Sequence, residues 1–163
     1  MKTLVLVRHA KSDWGHPGLA DHDRPLADRG IRDAPRMATR LAKRGTHPEW
    51  IVSSTALRAV QTAELFAQAL GVDQDSISFE RRLYAADPED IVDVIREFDD
   101  HFDVVMVVGH NPEFTELATR FAGRDEQLST CAVVECRFDV GTWAEVGRGA
   151  ADVRVDRPGG ADD

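Results

Sequence analysis

Two stretches constrain this chain more than any others: Leu4-Val5-Leu6-Val7 near the N-terminus and Val104-Val105-Met106-Val107-Val108 past its middle. Neither alternates apolar with polar, so neither suits a strand with one wet face. Continuous β-branched runs of this length need apolar cover on both sides. A sheet buried on both faces needs helices above and below it, and the sequence supplies strand and helix patterns in alternation.

A helical pattern spans Asp28 to Lys43, with Met37 and Leu41 on one face and Gly45 as its stop. Pro35 leaves two readings: a first-turn proline in a helix starting near Asp33, or a kink in a longer one. Trp50-Ile51-Val52 predicts a second strand ending at Ser53-Ser54, and Thr55 to Leu70 a second helix with Leu57, Val60, Ala63, Phe66 and Leu70 along one side. A short strand is expected near Ile77–Phe79, and Asp87-Pro88 opens a third helix as cap and first residue. After the run ending at Val108, Gly109-His110-Asn111-Pro112 turns the chain into a fourth helix, with Asn111 as cap and Pro112 first. Ala132–Phe138 predicts a late strand, and Val153–Val155 another. The expected fold is α/β in three layers, a mainly parallel sheet with helices on both faces. One domain over residues 1–155 and a flexible tail over 156–163 are expected.

With 20 Lys and Arg against 29 Asp and Glu, the formal charge is −9. Binding to a phosphate backbone is therefore not expected as the main activity, although an acidic protein can still hold a small cationic pocket. Cys131 and Cys136 have an odd separation, which points them to opposite faces of a strand, so two buried thiols are expected and no disulfide. No stretch reaches the length of a membrane span or a signal core, which makes a cytoplasmic protein with no membrane partner the expectation.

Three of the strand-like runs lead into basic or imidazole side chains: Arg8 and His9 after the first, Arg58 in the first turn of the second helix, and His110 after the central run. Parallel strands bring their carboxyl ends to one edge of the sheet, where such folds bind ligands. Arg58 near a helix N-terminus is electrostatically disfavoured unless an anion joins it. Two arginines and two histidines around one point suit a tetrahedral oxyanion, above all a phosphoryl group.

Arg8-His9-Ala10, Ser53-Ser54 through Arg58 with Gln61-Thr62-Ala63, and Gly109-His110-Asn111-Pro112 resemble, in order, the motifs of the histidine phosphatase superfamily, with its phosphoglycerate-mutase-like fold. The longer start through Trp14, with Asp23-Arg24-Pro25-Leu26 and Arg29-Gly30, is similar to the small SixA-type phosphohistidine phosphatase branch. The resemblance implies that His9 is a nucleophile that becomes phosphorylated, while Arg8, Arg58 and His110 hold the phosphoryl oxygens. Ser12 and Lys11 are further candidates to reach the phosphate. Arg8 and Arg58 are expected to lower the basicity of His9, and no metal or other cofactor is implied.

Members acting on poor leaving groups carry a carboxylate general acid between the second and third motifs. Here Tyr84 stands near that place, flanked by Glu80 and Asp87 as candidates. Without an acid, an alkoxide departs poorly, whereas a phosphohistidine has a better leaving group. The expected substrate is therefore protein phosphohistidine. The alternatives are a small-molecule phosphatase for a sugar phosphate or nucleotide, using Glu80 or Asp87, and a non-catalytic module that recognises a phosphorylated partner. His16, Asp21, His22 and Asp23 match no metal-ligand spacing, Gly147-Arg148-Gly149 lacks the setting of a dinucleotide fingerprint, and Trp14 is a candidate partner contact.

Overall fold

At the centre of the sheet lie β1 (Lys2–Arg8) and β4 (Val104–Gly109), the two runs that demand burial on both faces. The structure, a computed structural model, describes residues 1–159. The remaining strands are β2 (Trp50–Ser53), β3 (Ser78–Phe79), β5 (Val133–Phe138) and β6 (Asp152–Asp156), and the six form one sheet in the order β3-β2-β4-β1-β5-β6. The first four are parallel, while β5 and β6 are antiparallel to their neighbours.

Side-chain alternation in β1 and β4 divides the core. Leu4, Leu6, Val105 and Val107 face α3 (Pro88–Arg96) and α4 (Glu113–Ala122), meeting Ile91, Ile95, Phe114, Leu117 and Phe121. Val5, Val7, Met106 and Val108 face α1 (Asp28–Lys43) and α2 (Leu57–Leu70), meeting Met37, Leu41, Ala63 and Phe66. Each large apolar side chain withdrawn from water contributes roughly 1.5–3 kcal/mol, so the double cover accounts for the unbroken apolar runs. Cys131 and Cys136 are free buried thiols belonging to opposite core layers.

Several boundaries differ from the sequence reading. α1 is continuous through Pro35, so a start near Asp33 is wrong. The ring has no N–H for the Ile31 carbonyl, and Ile31 lies on the exposed side of the helix. α2 starts at Leu57, not Thr55, because the Ser54 hydroxyl accepts the Ala56 N–H at 3.2 Å and holds that residue outside the helix. α4 starts at Glu113 with Pro112 as its cap residue, while the Asn111 side chain accepts from the Thr115 N–H at 3.2 Å.

The chain is not a free tail from residue 156. Asp156 closes β6 and receives ion pairs from Arg40 and Arg44, and Arg157 Nε donates to the Gln127 carbonyl at 2.9 Å. Residues 160–163 of the expected tail lie outside the described residues. No helix among the described residues is long and apolar enough to cross a membrane.

The first turn of α1 is pressed against the end of β1. A Cβ on Gly30 would lie 2.3 Å from the Lys11 carbonyl oxygen, the same oxygen that accepts the Ala27 N–H at 2.9 Å. Gly30→Ala, although better suited to a helix, should therefore lower stability by about 1–3 kcal/mol in urea unfolding. Unchanged or raised stability would show that the two segments can separate at no cost.

Candidate active site

The register between β1 and β4 pairs Arg8 with Gly109, and the His9 N–H donates to the Gly109 carbonyl at 2.9 Å. His9 and His110 therefore leave adjacent strands at the same level, and their ring centroids are 5.1 Å apart. On the far side of β4, the Ser54 N–H donates to the Val108 carbonyl, which brings the start of α2 and Arg58 to the same edge. Arg8, His9, Arg58 and His110 line a cavity of about 240 Å³ together with Lys11, Ser12, Trp14, Arg24, Asn111 and Thr130.

Hydrogen bonds fix the orientation of both imidazoles. His9 Nδ1 lies 2.8 Å from the Ala10 carbonyl, which can only accept, so Nδ1 carries the proton and Nε2 carries the lone pair. Burial, the largest cause, together with Arg58, Arg8 and Arg24 and against the raising effect of the Ala10 hydrogen bond, brings the His9 pKa down from 6.5 to about 4. The lowering expected from Arg8 and Arg58 is present, but desolvation leads and their charges assist. His110 Nε2 lies 2.8 Å from Ser54 Oγ. That hydroxyl accepts from Ala56 and keeps its own proton to donate to Nε2, an arrangement that puts the His110 proton on Nδ1, facing no other partner. Burial first, then His9 and Arg58, takes His110 down to about 3.

The guanidinium groups are held mostly by acceptors that orient them while leaving donors unused. Arg8 NH1 donates to the Leu128 carbonyl at 2.8 Å, and burial lowers the basicity of Arg8. Arg58 NH1 donates to the Asp21 carbonyl at 2.7 Å and NH2 to Asp21 Oδ2 at 3.0 Å. Arg8 Nε, Arg58 Nε and His110 Nδ1 are all buried without a hydrogen-bond partner. Buried donors without partners are costly, and a tetrahedral oxyanion would satisfy such a set.

Other residues of the motifs support this pocket from behind. Thr62 accepts the Ala10 N–H at 3.0 Å and donates to the Arg58 carbonyl at 2.8 Å, joining the segment after His9 to the helix that carries Arg58. Gln61 Oε1 accepts the Leu26 N–H at 2.8 Å and anchors the long loop.

Three groups were missed as site residues in the sequence. Arg24 lines the pocket, donates from NH1 to Ser12 Oγ at 2.7 Å and stacks under Trp14, its guanidinium carbon 3.4 Å from the ring centroid. Ser54 orients His110, as described above. Asp21 bridges Arg24, Arg58 and the Tyr84 hydroxyl, and its pKa falls to about 2, chiefly through the Tyr84 hydrogen bond. A buried arginine in a polar loop has no periodicity to announce it; the signal available was the Asp23-Arg24-Pro25-Leu26 segment itself.

Glu80 and Asp87 are not brought to the pocket. Glu80 lines a separate cavity with Trp50 and Phe98 and is committed to Arg82, which keeps its carboxyl below the ordinary range. Asp87 occupies the N-cap position of α3, its N–H on the Asp90 carboxylate at 3.1 Å. His16 pairs with Asp13, and His22 meets the Thr55 hydroxyl at 2.8 Å. Among the described residues, no cluster of three or more His, Cys, Asp or Glu is arranged to hold a metal ion.

The family model for branch 1 of the histidine phosphatase superfamily matches residues 4–85. The chain belongs to that superfamily. An uncharacterized protein of Mycobacterium tuberculosis is 35% identical over 156 residues, covering 89% of this chain and 94% of the relative. An uncharacterized chloroplastic protein of Arabidopsis thaliana is 30% identical over 152 residues, covering 88% of this chain and 70% of its own length. Among solved structures, an Agrobacterium tumefaciens protein assigned as the phosphohistidine phosphatase SixA superposes with a TM-score of 0.78 at 28% identity, covering 94% of this chain and 97% of that one. This histidine phosphatase is thus of SixA type, with the expected phosphoglycerate-mutase-like α/β fold.

Both histidines prefer to be neutral when folded but titrate near 6.5 when unfolded. The unfolded chain therefore binds more protons between about pH 6.5 and 4, and stability present above that window is lost as pH falls through it. Going from pH 7 to pH 5 should cost on the order of 1–2 kcal/mol per ring in urea unfolding. His9→Gln should remove about half of that pH dependence, and an unchanged slope in the variant would contradict the burial of a neutral ring.

Proposed function

We propose that this histidine phosphatase hydrolyses protein phosphohistidine through a covalent phosphohistidine on His9. The observation that carries the reading is the Nδ1 contact to the Ala10 carbonyl, which leaves Nε2 unprotonated beside buried arginine donors. Nε2 attacks phosphorus, and Arg8 Nε, Arg58 Nε and His110 Nδ1 receive the three phosphoryl oxygens as charge develops on them. Water then attacks the phosphoenzyme. Arg8, Arg24 and Arg58 supply the positive charge that metal ions supply in other phosphoryl-transfer sites, so the reaction needs no metal.

The substrate class follows from the leaving group. Among the described residues that line the pocket, none is a carboxylate, and Asp21 at its rim is ionised at neutral pH. A general acid contributes about 10²–10⁴-fold, so alkyl phosphates are poor candidates. A phosphohistidine, whose ring can depart already protonated, does not need one. The similarity to the Agrobacterium protein assigned as a phosphohistidine phosphatase supports the same class. A small-molecule phosphatase remains the competing enzyme reading, and a phosphate reader without turnover the competing binding reading.

Rapid quench with a ³²P-labelled phosphohistidine peptide tests this directly. Wild type should trap an acid-labile, base-stable label on the His9 peptide, and His9→Ala should trap none. Phosphate binding without label would overturn the enzyme reading, and faster turnover of sugar phosphates than of phosphohistidine would overturn the substrate class.

A further inference from the structure

The carboxylate of Asp21 has no place in the steps above, yet it is the most connected acidic group at the pocket. Oδ1 accepts from Arg24 Nε at 3.3 Å and pairs with NH2 at 3.2 Å, while Oδ2 accepts from Arg58 NH2 at 3.0 Å and from the Tyr84 hydroxyl at 2.7 Å. The Tyr84 ring in turn lies edge-on to both His22, at 4.8 Å, and His110, at 5.7 Å. About half of the Asp21 side chain remains open to solvent, and the arginines it holds line the cavity while it does not, so the charge stands at the cavity's rim.

Such a charge has opposite effects on two kinds of substrate. A phosphorylated imidazole must carry a proton on its second nitrogen to leave as a neutral ring, and a nearby carboxylate stabilises that cationic form. An ester leaves with negative charge building on oxygen, which the same carboxylate repels. Held far below its ordinary range by Tyr84, Arg58 and Arg24, Asp21 has no proton to offer the ester in compensation.

We infer that Asp21 is a specificity-determining residue, a fixed negative charge at the pocket entrance that favours substrates with a cationic nitrogen leaving group over phosphate esters. This rests on the phosphatase reading above and deepens it. In the first step the His9 Nε2–P bond forms as the substrate P–N bond breaks. The bonding pair stays on the departing nitrogen, and the ring leaves neutral with the proton it already held. In the second, a water oxygen bonds to phosphorus, the P–Nε2 bond breaks with its electron pair returning to His9, and both water hydrogens leave with the phosphate.

The experiment compares kcat/KM for a phosphohistidine peptide and for para-nitrophenyl phosphate, whose phenolate leaves without a proton. In Asp21→Asn the backbone carbonyl still accepts from Arg58 NH1, so the guanidinium keeps one of its anchors. The ratio of peptide to ester turnover should fall roughly 10- to 100-fold, with ester turnover rising. Asp21→Glu should restore most of the ratio. Tyr84→Phe, which removes a neutral donor and keeps the charge, should leave the ratio within about threefold of wild type whatever its effect on the separate rates. Equal losses on both substrates in Asp21→Asn would reduce Asp21 to an anchor for Arg58, and a selective loss on the ester would show that the carboxylate favours the anionic leaving group; either overturns the inference. Failure of wild type to form the His9 phosphoenzyme would instead overturn the phosphatase reading, so the two failures are distinguishable.

Discussion

The parallel register of β1 with β4 is the constraint on which the rest of the site depends. With Arg8 opposite Gly109, the residue after each strand is a histidine, and the two rings meet at the same sheet edge. A shift of one residue would turn Val5 and Val7 toward α3 and α4 and carry His9 away from His110. The apolar alternation that assigns Leu4 and Leu6 to one core layer and Val5 and Val7 to the other therefore also aligns the two histidines. Packing energy, spread over many side chains, is converted into the placement of two rings.

Around that edge, the acidic protein keeps a cationic pocket by using mostly neutral acceptors, with the half-exposed Asp21 carboxylate as an ionised partner of Arg24 and Arg58. Backbone carbonyls of Leu128 and Asp21 take hydrogen bonds from Arg8 and Arg58 without cancelling their charge, and Ser12 does the same for Arg24. At the far edge of the sheet the arrangement is different. Arg40 and Arg44 are matched there by Asp156 and Glu135, and those contacts fasten α1 to β5 and β6. The same residue type thus keeps unpartnered donors at the pocket, on Arg8 Nε and Arg58 Nε, and is engaged in cohesion where Asp156 and Glu135 face it.

The fold and the convergence of Arg8, His9, Arg58 and His110 on one cavity were legible because both obey local rules. Apolar runs declare buried strands, and Arg8, His9, Arg58 and His110 sit at or just beyond strand ends, where parallel sheets gather their functional groups. What escaped was set by tertiary contact. Nothing local distinguishes Asp21 from Asp23, yet one bridges two arginines and a tyrosine while the other faces solvent. Asp156 looked like the start of a polar tail because its partners, Arg40 and Arg44, are more than a hundred residues away. Glu80 and Asp87 were credited as acids by their position in the chain, but Arg82 and the cap of α3 claim them.

The stack of Trp14 on Arg24 gives the molecule an optical probe of its own pocket. Of the three tryptophans, Trp143 is fully buried and Trp50 packs against Phe98 and Phe102, whereas Trp14 is 70% exposed at the cavity mouth. Its indole rests on a guanidinium that also reaches Ser12 in the pocket and Asp21 at its rim. An anion that drew Arg24 inward would change the charge lying against that ring and with it the emission of Trp14. The stack thus sets one exposed side chain, which light can interrogate without any label, against a group that lines the pocket.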